Sequence, residues 1–219
     1  MSGRAPEFSL IGLTGLPEIR CGDDLAAMLI EAVRSLGLEF RPGDVLVVTQ
    51  KVVSKAEGRV VSLSDAAPSP LAGSWAAFFD KDPRLIELIL REAKRIVRMD
   101  RGIVLAETRH GFICANAGVD RSNLPDRDAA ALLPLDPDAS AKAIRDRILA
   151  LYQVEVAVLI SDTFGRPWRE GLTNVAVGVS GLLPLKDYSE ASDDFGRRLQ
   201  ATTIAVADEL AAAAELVMG

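Results

Sequence analysis

Two short stretches of near-continuous apolar sequence limit the fold more than anything else in the chain. Asp44-Val-Leu-Val-Val-Thr-Gln50 is dominated by β-branched residues, and Val154 to Ile160 forms a second run of the same kind. Runs this short and this apolar suit strands buried on both faces. Each stops at polar residues: Thr49-Gln50-Lys51 after the first and Ser161-Asp162-Thr163 after the second. Strands covered on both sides need helices. Leu25, Met28, Leu29, Ala32, Val33 and Leu36 repeat at three and four and predict an amphipathic helix, with Asp23 or Asp24 as its N-cap and Gly37 at its C-terminal end.

The remaining pattern is irregular. Strands are expected at Phe8 to Leu13, Arg59 to Leu63 and Thr173 to Val179, with a hairpin built from Ile103 to Ala106 and Phe112 to Ala115. Pro83 fits the first turn of a helix running through Met99, with Leu85, Leu88, Ile89 and Ile96 as its core stripe. Arg84, Arg91, Arg95 and Arg98 then share another face, either plainly solvated or turned towards an anion. Ser140 is placed as the cap of a helix reaching about Tyr152, and Arg198 to Val217 reads as an Ala-rich helix. Residues 64–80 and 124–139 read as exposed connections. The fold class is mixed α and β (α+β) around a buried sheet, without internal repeats.

Composition removes several functions. One His cannot build a multi-His zinc or iron site, and Cys21 and Cys114 lie in no CxxC spacing. Two isolated cysteines fit a reducing compartment, the cytoplasm. The N-terminus lacks a signal-peptide pattern, and no apolar run approaches the about 18 residues of a membrane span. With 25 basic against 31 acidic residues and a pI near 5.0, no general nucleic-acid surface is expected. The GxxxxGK(S/T), GxGxxG and GxSxG patterns are all missing.

Three segments carry possible chemistry. Thr49 to Gly58 places Lys51, Ser54 and Lys55 at the end of a buried strand, suited to phosphate oxygens or, equally, to the start of a solvated helix. His110 to Asn123 offers Asp120 as a hard-oxygen ligand and Asn123 as a hydrogen-bonding group, or else a turn in which both bond their own backbone. His110 itself is a structural or a catalytic histidine. Ser161 to Gly171 places Asp162 and Thr163 at a strand end, with Arg166 and Arg169 able to hold an anionic substrate. Separated carboxylates, lysines and arginines of this kind are what metal-assisted phosphoryl transfer needs.

At these same segments the chain resembles the F420-0:γ-glutamyl ligases, along nearly its whole length. The matching stretches are GLPEIRCGDDL, GDVLVVTQKVVSKAEGRVV, HGFICANAGVDRSN, SDTFGRPWREGLTNVAVGVSG and ADELAAAAELVMG. The resemblance implies a two-lobed fold with a buried sheet and the nucleotide in a cleft. It implies a GTP-dependent ligase that adds L-glutamate to the F420-0 precursor, then further γ-linked glutamates, through an acyl phosphate. Carried over by position, Asp120, Asp162 and Thr163 are divalent-metal ligands for Mg²⁺ or Mn²⁺. Leu16, Pro17, Glu18, Ile19, Lys55 and Asn123 contact the nucleotide, as do Gln50 and Lys51, although relatives carry small hydroxyl residues at those two positions. Ser54, Arg166 and Arg169 are the expected substrate contacts, and the basic face from Arg84 to Arg98 would suit the phosphodiester of the precursor. The proton acceptor is not assigned, with His110 a weak candidate. A cytoplasmic homodimer is expected, with no nucleic-acid or membrane partner. The ligase domain is expected to span 1–219 and to lack a short C-terminal continuation that relatives possess. Two other functions remain open: a non-catalytic nucleotide- or F420-binding module, and a related metal-dependent amide ligase acting on another carboxylate.

Overall fold

The computed structural model describes residues 5–189, 195–198 and 202–218. The first regular element is α1 (Leu25–Ser35), where the Asp24 carboxylate caps the helix by accepting from the Ala27 N–H at 3.0 Å. After Leu36 the chain turns at Gly37, whose φ of 67° favours glycine. β1 (Val45–Thr49) runs straight into α2 (Gln50–Ala56), and β2 (Val60–Ser62) follows. α3 (Pro70–Phe79) and α4 (Pro83–Glu92) each start on a proline behind a polar cap, Ser69 and Asp82. β3 (Ala93–Asp100), β4 (Ile103–Thr108), β5 (Ile113–Ala115) and β6 (Ala129–Ala131) precede α5 (Pro137–Tyr152). β7 (Ala157–Gly165) and β8 (Leu172–Ser180) form a hairpin, β9 (Lys186–Asp187) and β10 (Thr203–Ile204) a short pair, and α6 (Val206–Met218) comes last.

The two apolar runs become neighbours. β1 lies parallel to β7, with Val45 opposite Ala157 and Thr49 opposite Ser161, and β8 pairs antiparallel on the far side of β7. α5 and α6 pack on this sheet, and α1 packs on α5. A second sheet, in the order β3-β4-β5, is antiparallel throughout, and β2 pairs with β6. The mixed α and β class read from the sequence is the class observed.

Burial divides into two cores. One gathers Leu29, Val33, Val48, Val53, Ile148, Val158 and Ile160 around the β1–β7 pair. The other gathers Leu63, Ala72, Ile86, Ile89, Val104, Ala130 and Leu132 around α3, α4, β4 and β6. The three alanines of β6 are buried because they sit between β2 and the second core, where any larger side chain would have to displace packed atoms.

Several expectations are corrected. The helix expected from Pro83 to Met99 ends at Glu92 and becomes β3. β3 carries register shifts between Ala93 and Arg95 and between Ile96 and Arg98. Each shift sets an extra residue into the strand, so its inward side chains recur as Ala93, Ile96 and Met99, a spacing of three that imitates a helix. The supposed arginine face dissolves with it. Arg84 pairs with Asp82 and Asp128, Arg91 with Glu87, Arg95 with Glu107 and Arg98 with Asp100, on two different elements. Residues 64–80 contain α3, and residues 124–139 contain the buried β6. Phe8 to Leu13 forms no strand. Asp136, not Ser140, caps α5 by accepting from the Ala139 N–H at 2.9 Å. The last helix starts at Val206, and residues 199–201 of its expected span lie outside the described residues.

The contact between α5 and β8 leaves no room for a side chain at Gly178. A Cβ there would lie 2.4 Å from the Pro137 carbonyl oxygen and 2.6 Å from its carbon, both backbone atoms. The Val179 N–H also donates to Asp138 at 2.7 Å, holding the two elements together. Gly178→Ala should therefore destabilise the protein by about 1–3 kcal/mol, read as a lower urea midpoint with an unchanged slope. An unchanged midpoint would show that the α5–β8 contact yields freely.

Candidate functional site

Parallel strands end at the same edge of a sheet. β1 and β7 therefore release their polar tails side by side, at the end of the strands where open sheets bind ligands. A cavity of about 490 Å³ opens there. Its lining includes Thr49, Gln50 and Lys51 beyond β1 and Ser161, Asp162 and Thr163 from β7. The loop after β5 adds Asp120, Ser122 and Asn123, and β8 and α6 add Asn174 and Glu215. Groups from both sides of the molecule thus meet in one place.

Lys51 and Asp120 make the central contact, 2.5 Å from Nζ to Oδ2. Lys51 also donates to the Ser122 hydroxyl at 2.6 Å and to its carbonyl at 2.9 Å. Asp120 in turn accepts from the Ser122 N–H at 2.8 Å and from its hydroxyl at 2.7 Å. The turn in which Asp120 bonds its own backbone and the charged site both exist, in the same residue. Burial alone would push the Asp120 carboxyl up, but Lys51 and Ser122 outweigh it and hold it below the ordinary carboxylate range.

Asp162 behaves oppositely. Burial raises its pKa to about 6, and the negative charge of Asp120 adds to the rise, while the Thr163 N–H, Lys51 and the facing Gln50 amide oppose it. Beside it, burial lifts the Cys114 thiol to about 11, with Asp162 again adding to the effect. The Ser161 hydroxyl, in a residue only 1% exposed, has no hydrogen-bond partner among the described residues. Two like charges facing one cavity, beside an unsatisfied hydroxyl, form a site that a cation would relieve.

The donor set fits such a cation. Asp120, Asp162 and Thr163 present hard oxygens to the cavity, the ligands that Mg²⁺ or Mn²⁺ selects. Among the described residues no three His, Cys, Asp or Glu side chains form a ready-made metal cage.

The other expected residues are distributed unevenly. Gln50, Lys51 and Asn123 line the same cavity as the two aspartates. Gln50 is buried, and its carbonyl accepts from Ser54 at 3.0 Å. Ser54 does not reach the cavity: it is fully buried and its hydroxyl is spent on Gln50 and on the Leu132 carbonyl at 2.7 Å. Lys55 is drawn away to Glu18, 2.5 Å distant, which ties the 16–19 loop to α2. Pro17 is exposed, Ile19 sits in the first core, and Leu16 lines a second cavity of about 680 Å³ beside the outer edge of β1. Thr49 lines both cavities. Arg166 and Arg169 lie in the exposed β7–β8 turn, where Arg166 donates to the carbonyls of Glu170 and Gly171. His110 does not line the cavity; its Nε2 lies 2.9 Å from the Pro134 carbonyl, and its ring stacks on Phe112.

Sequence reasoning missed Asn174 and Glu215. Asn174 was a polar residue inside an apolar strand, a signal that was available; it is 5% exposed. Its carbonyl accepts from the Thr163 hydroxyl at 2.7 Å, and its amide donates to Glu215 at 2.8 Å. The Asn116-Ala117-Gly118 turn on the same rim keeps positive φ over three residues, including the buried Ala117 at 53°. Strained backbone of this kind gathers at ligand sites.

Comparison with known proteins identifies relatives over nearly the whole chain. The model of the F420-0:gamma-glutamyl ligase family matches residues 14–219. The coenzyme F420:L-glutamate ligase of Methanothermobacter thermautotrophicus is 49% identical over 212 residues, which is 97% of this chain and 84% of the relative. That of Methanopyrus kandleri is 48% identical over 202 residues, covering 92% and 78%. That of Methanocaldococcus jannaschii is 42% identical over 213 residues, covering 97% and 83%.

The raised pKa of Asp162 has a stability consequence. Its folded value of about 6 lies above the ordinary 3.8, so the folded state gains a proton between those values. The resulting stability is full below about pH 4 and is lost as pH rises through 6. Asp162→Asn should then raise the unfolding free energy of the metal-free protein at pH 8 by about 1–2 kcal/mol, read as a higher urea midpoint, and leave it nearly unchanged at pH 4. A lower midpoint at pH 8 would show that the carboxylate is stabilised by its surroundings.

Proposed function

The chain belongs to the F420-0:gamma-glutamyl ligase family, and from that premise we propose that it joins L-glutamate to an F420 precursor in an amide bond at the expense of GTP. The observation that supports this most is the meeting of Lys51, Asp120, Asp162 and Thr163 in one cavity at the end of the β1–β7 pair. A carboxylate does not react with an amine unaided, because its oxygen is a poor leaving group. In the proposed reaction the γ-phosphoryl group of GTP passes to the precursor carboxylate and GDP departs. The amine of L-glutamate then attacks the acyl phosphate, inorganic phosphate leaves, and the amine proton is lost to solvent or a nearby base.

In this scheme Asp120, Asp162 and Thr163 hold a divalent cation, Mg²⁺ or Mn²⁺. When bound, such an ion offsets the charge that builds up on a phosphoryl group in transfer. Lys51 carries a mobile ammonium that can exchange its Asp120 contact for phosphate oxygens. Asn123 presents an amide on the same rim to orient the nucleotide. The apolar strands behind the site keep water from the back of the cavity, which strengthens each of these contacts. The proposal includes a homodimer acting in the cytoplasm; light scattering tests the dimer.

Incubation with precursor, GTP, L-glutamate and Mn²⁺ or Mg²⁺ should yield a product heavier by one glutamyl residue, together with GDP. Asp162→Asn and Asp120→Asn should each lower kcat by a factor of about 100 or more while leaving the circular-dichroism spectrum intact. Turnover by both variants at the wild-type rate would remove these carboxylates from the chemistry. A wild-type protein that binds GTP but forms no amide, under either metal, would make it a binding module instead.

A further inference from the structure

The β3-β4-β5 sheet has one covered face and one bare one. Its inner face turns Ile96, Met99, Val104 and Ala106 towards the second core. An antiparallel sheet covered on one side normally alternates, apolar inward and polar outward. β4 does not. Ile103-Val104-Leu105-Ala106 is apolar on both faces, with Val104 and Ala106 buried and Ile103 and Leu105 exposed. Val97 from β3 and Ile113 from β5 are exposed beside them, and among the described residues these four side chains stay 36–54% open. A strand that reads as doubly buried, yet is bare on one side, asks for a second layer.

The pattern on the bare face selects what that layer is. The β3 row carries charge, in Lys94, Arg95, Arg98 and Asp100, whereas the β4–β5 side carries Ile103, Leu105, Ile113 and Ala115. Where β3 begins, Lys94 and Arg95 share the single carboxylate of Glu107, at 3.0 and 2.5 Å. At the far end Asp100 pairs with Arg98 at 2.9 Å and keeps half of its side chain open. A two-fold axis in the sheet plane, crossing the strands, would lay each row on the same row of a second copy with its ends exchanged. Apolar surface then meets apolar surface, and Asp100 of one copy faces Lys94 and Arg95 of the other. The face is complementary to itself. A membrane surface would select a basic rim without such carboxylates.

Resting on the homodimer proposed above, we infer that a second copy of this chain docks on the outer face of β3, β4 and β5. The contact reaches the site. Ala115 lies on this face opposite Leu105 and also lines the cavity, and β5 runs directly into the Asn116-Ala117-Gly118 rim. The second copy therefore stands against the rim of the cavity.

Leu105 sits in the middle row, where each copy meets its counterpart. Leu105→Lys should set like charges together and raise the dimer dissociation constant about a hundredfold or more. Light scattering would read this as a fall from twice 23.4 kDa towards 23.4 kDa at micromolar concentration, with an unchanged circular-dichroism spectrum. Asp100→Lys should also weaken the dimer, and adding Lys94→Glu to the same chain should restore it in part, a recovery that misfolding would not produce. If Leu105→Lys and Asp100→Lys both dimerise as tightly as wild type, this face is not the interface, although the dimer itself stands. Wild-type protein that remains at 23.4 kDa at every concentration would overturn the face and the dimer together, and amide formation, assayed separately, would be untouched by either result.

Discussion

The in-register parallel pairing of β1 with β7 is the constraint on which the site depends. Two antiparallel strands would have sent Thr49-Gln50-Lys51 and Ser161-Asp162-Thr163 to opposite ends of the sheet. Parallel pairing sends both to one end, and the register that sets Thr49 opposite Ser161 puts them at the same height. The connection between the strands carries everything from α2 to α5, including the whole second core and the loop that returns Asp120 to the same edge.

Electrostatics then separates residues of the same type. Asp120 and Asp162 are both aspartates on one cavity, yet the first is held ionised by Lys51 while the second is pushed towards neutrality by burial and by the first. Such divergence comes from placement and not from residue type, and it is a common mark of sites that handle charge.

Much of this was legible in the residues. The two apolar runs were readable because strands buried on both faces lose the alternation of half-wet ones. Lys51, Asp162 and Thr163 were readable as polar residues that directly follow those runs and Asp120 as an acid in a polar loop, whereas Gln50 came only through the family resemblance. What stayed hidden depended on pairing. β3 looked helical because its bulges reset the period from two to about three. β6 looked like an exposed link because alanines carry little hydropathy, although they pack inside. Ser54 looked available because nothing local shows that Leu132, far along the chain, supplies its partner. Glu215 was hidden by an Ala-rich helix whose contact with β8 is wholly tertiary.

The division into two cores bears on how the protein opens. Asp162 stands on a strand anchored in the first core, and Asp120 sits beside β6, which belongs to the second. Anything held between them is therefore also a clasp across the seam of the molecule. Whatever fills the cavity would touch both cores at once, through Asp162 on one side and Asp120 on the other.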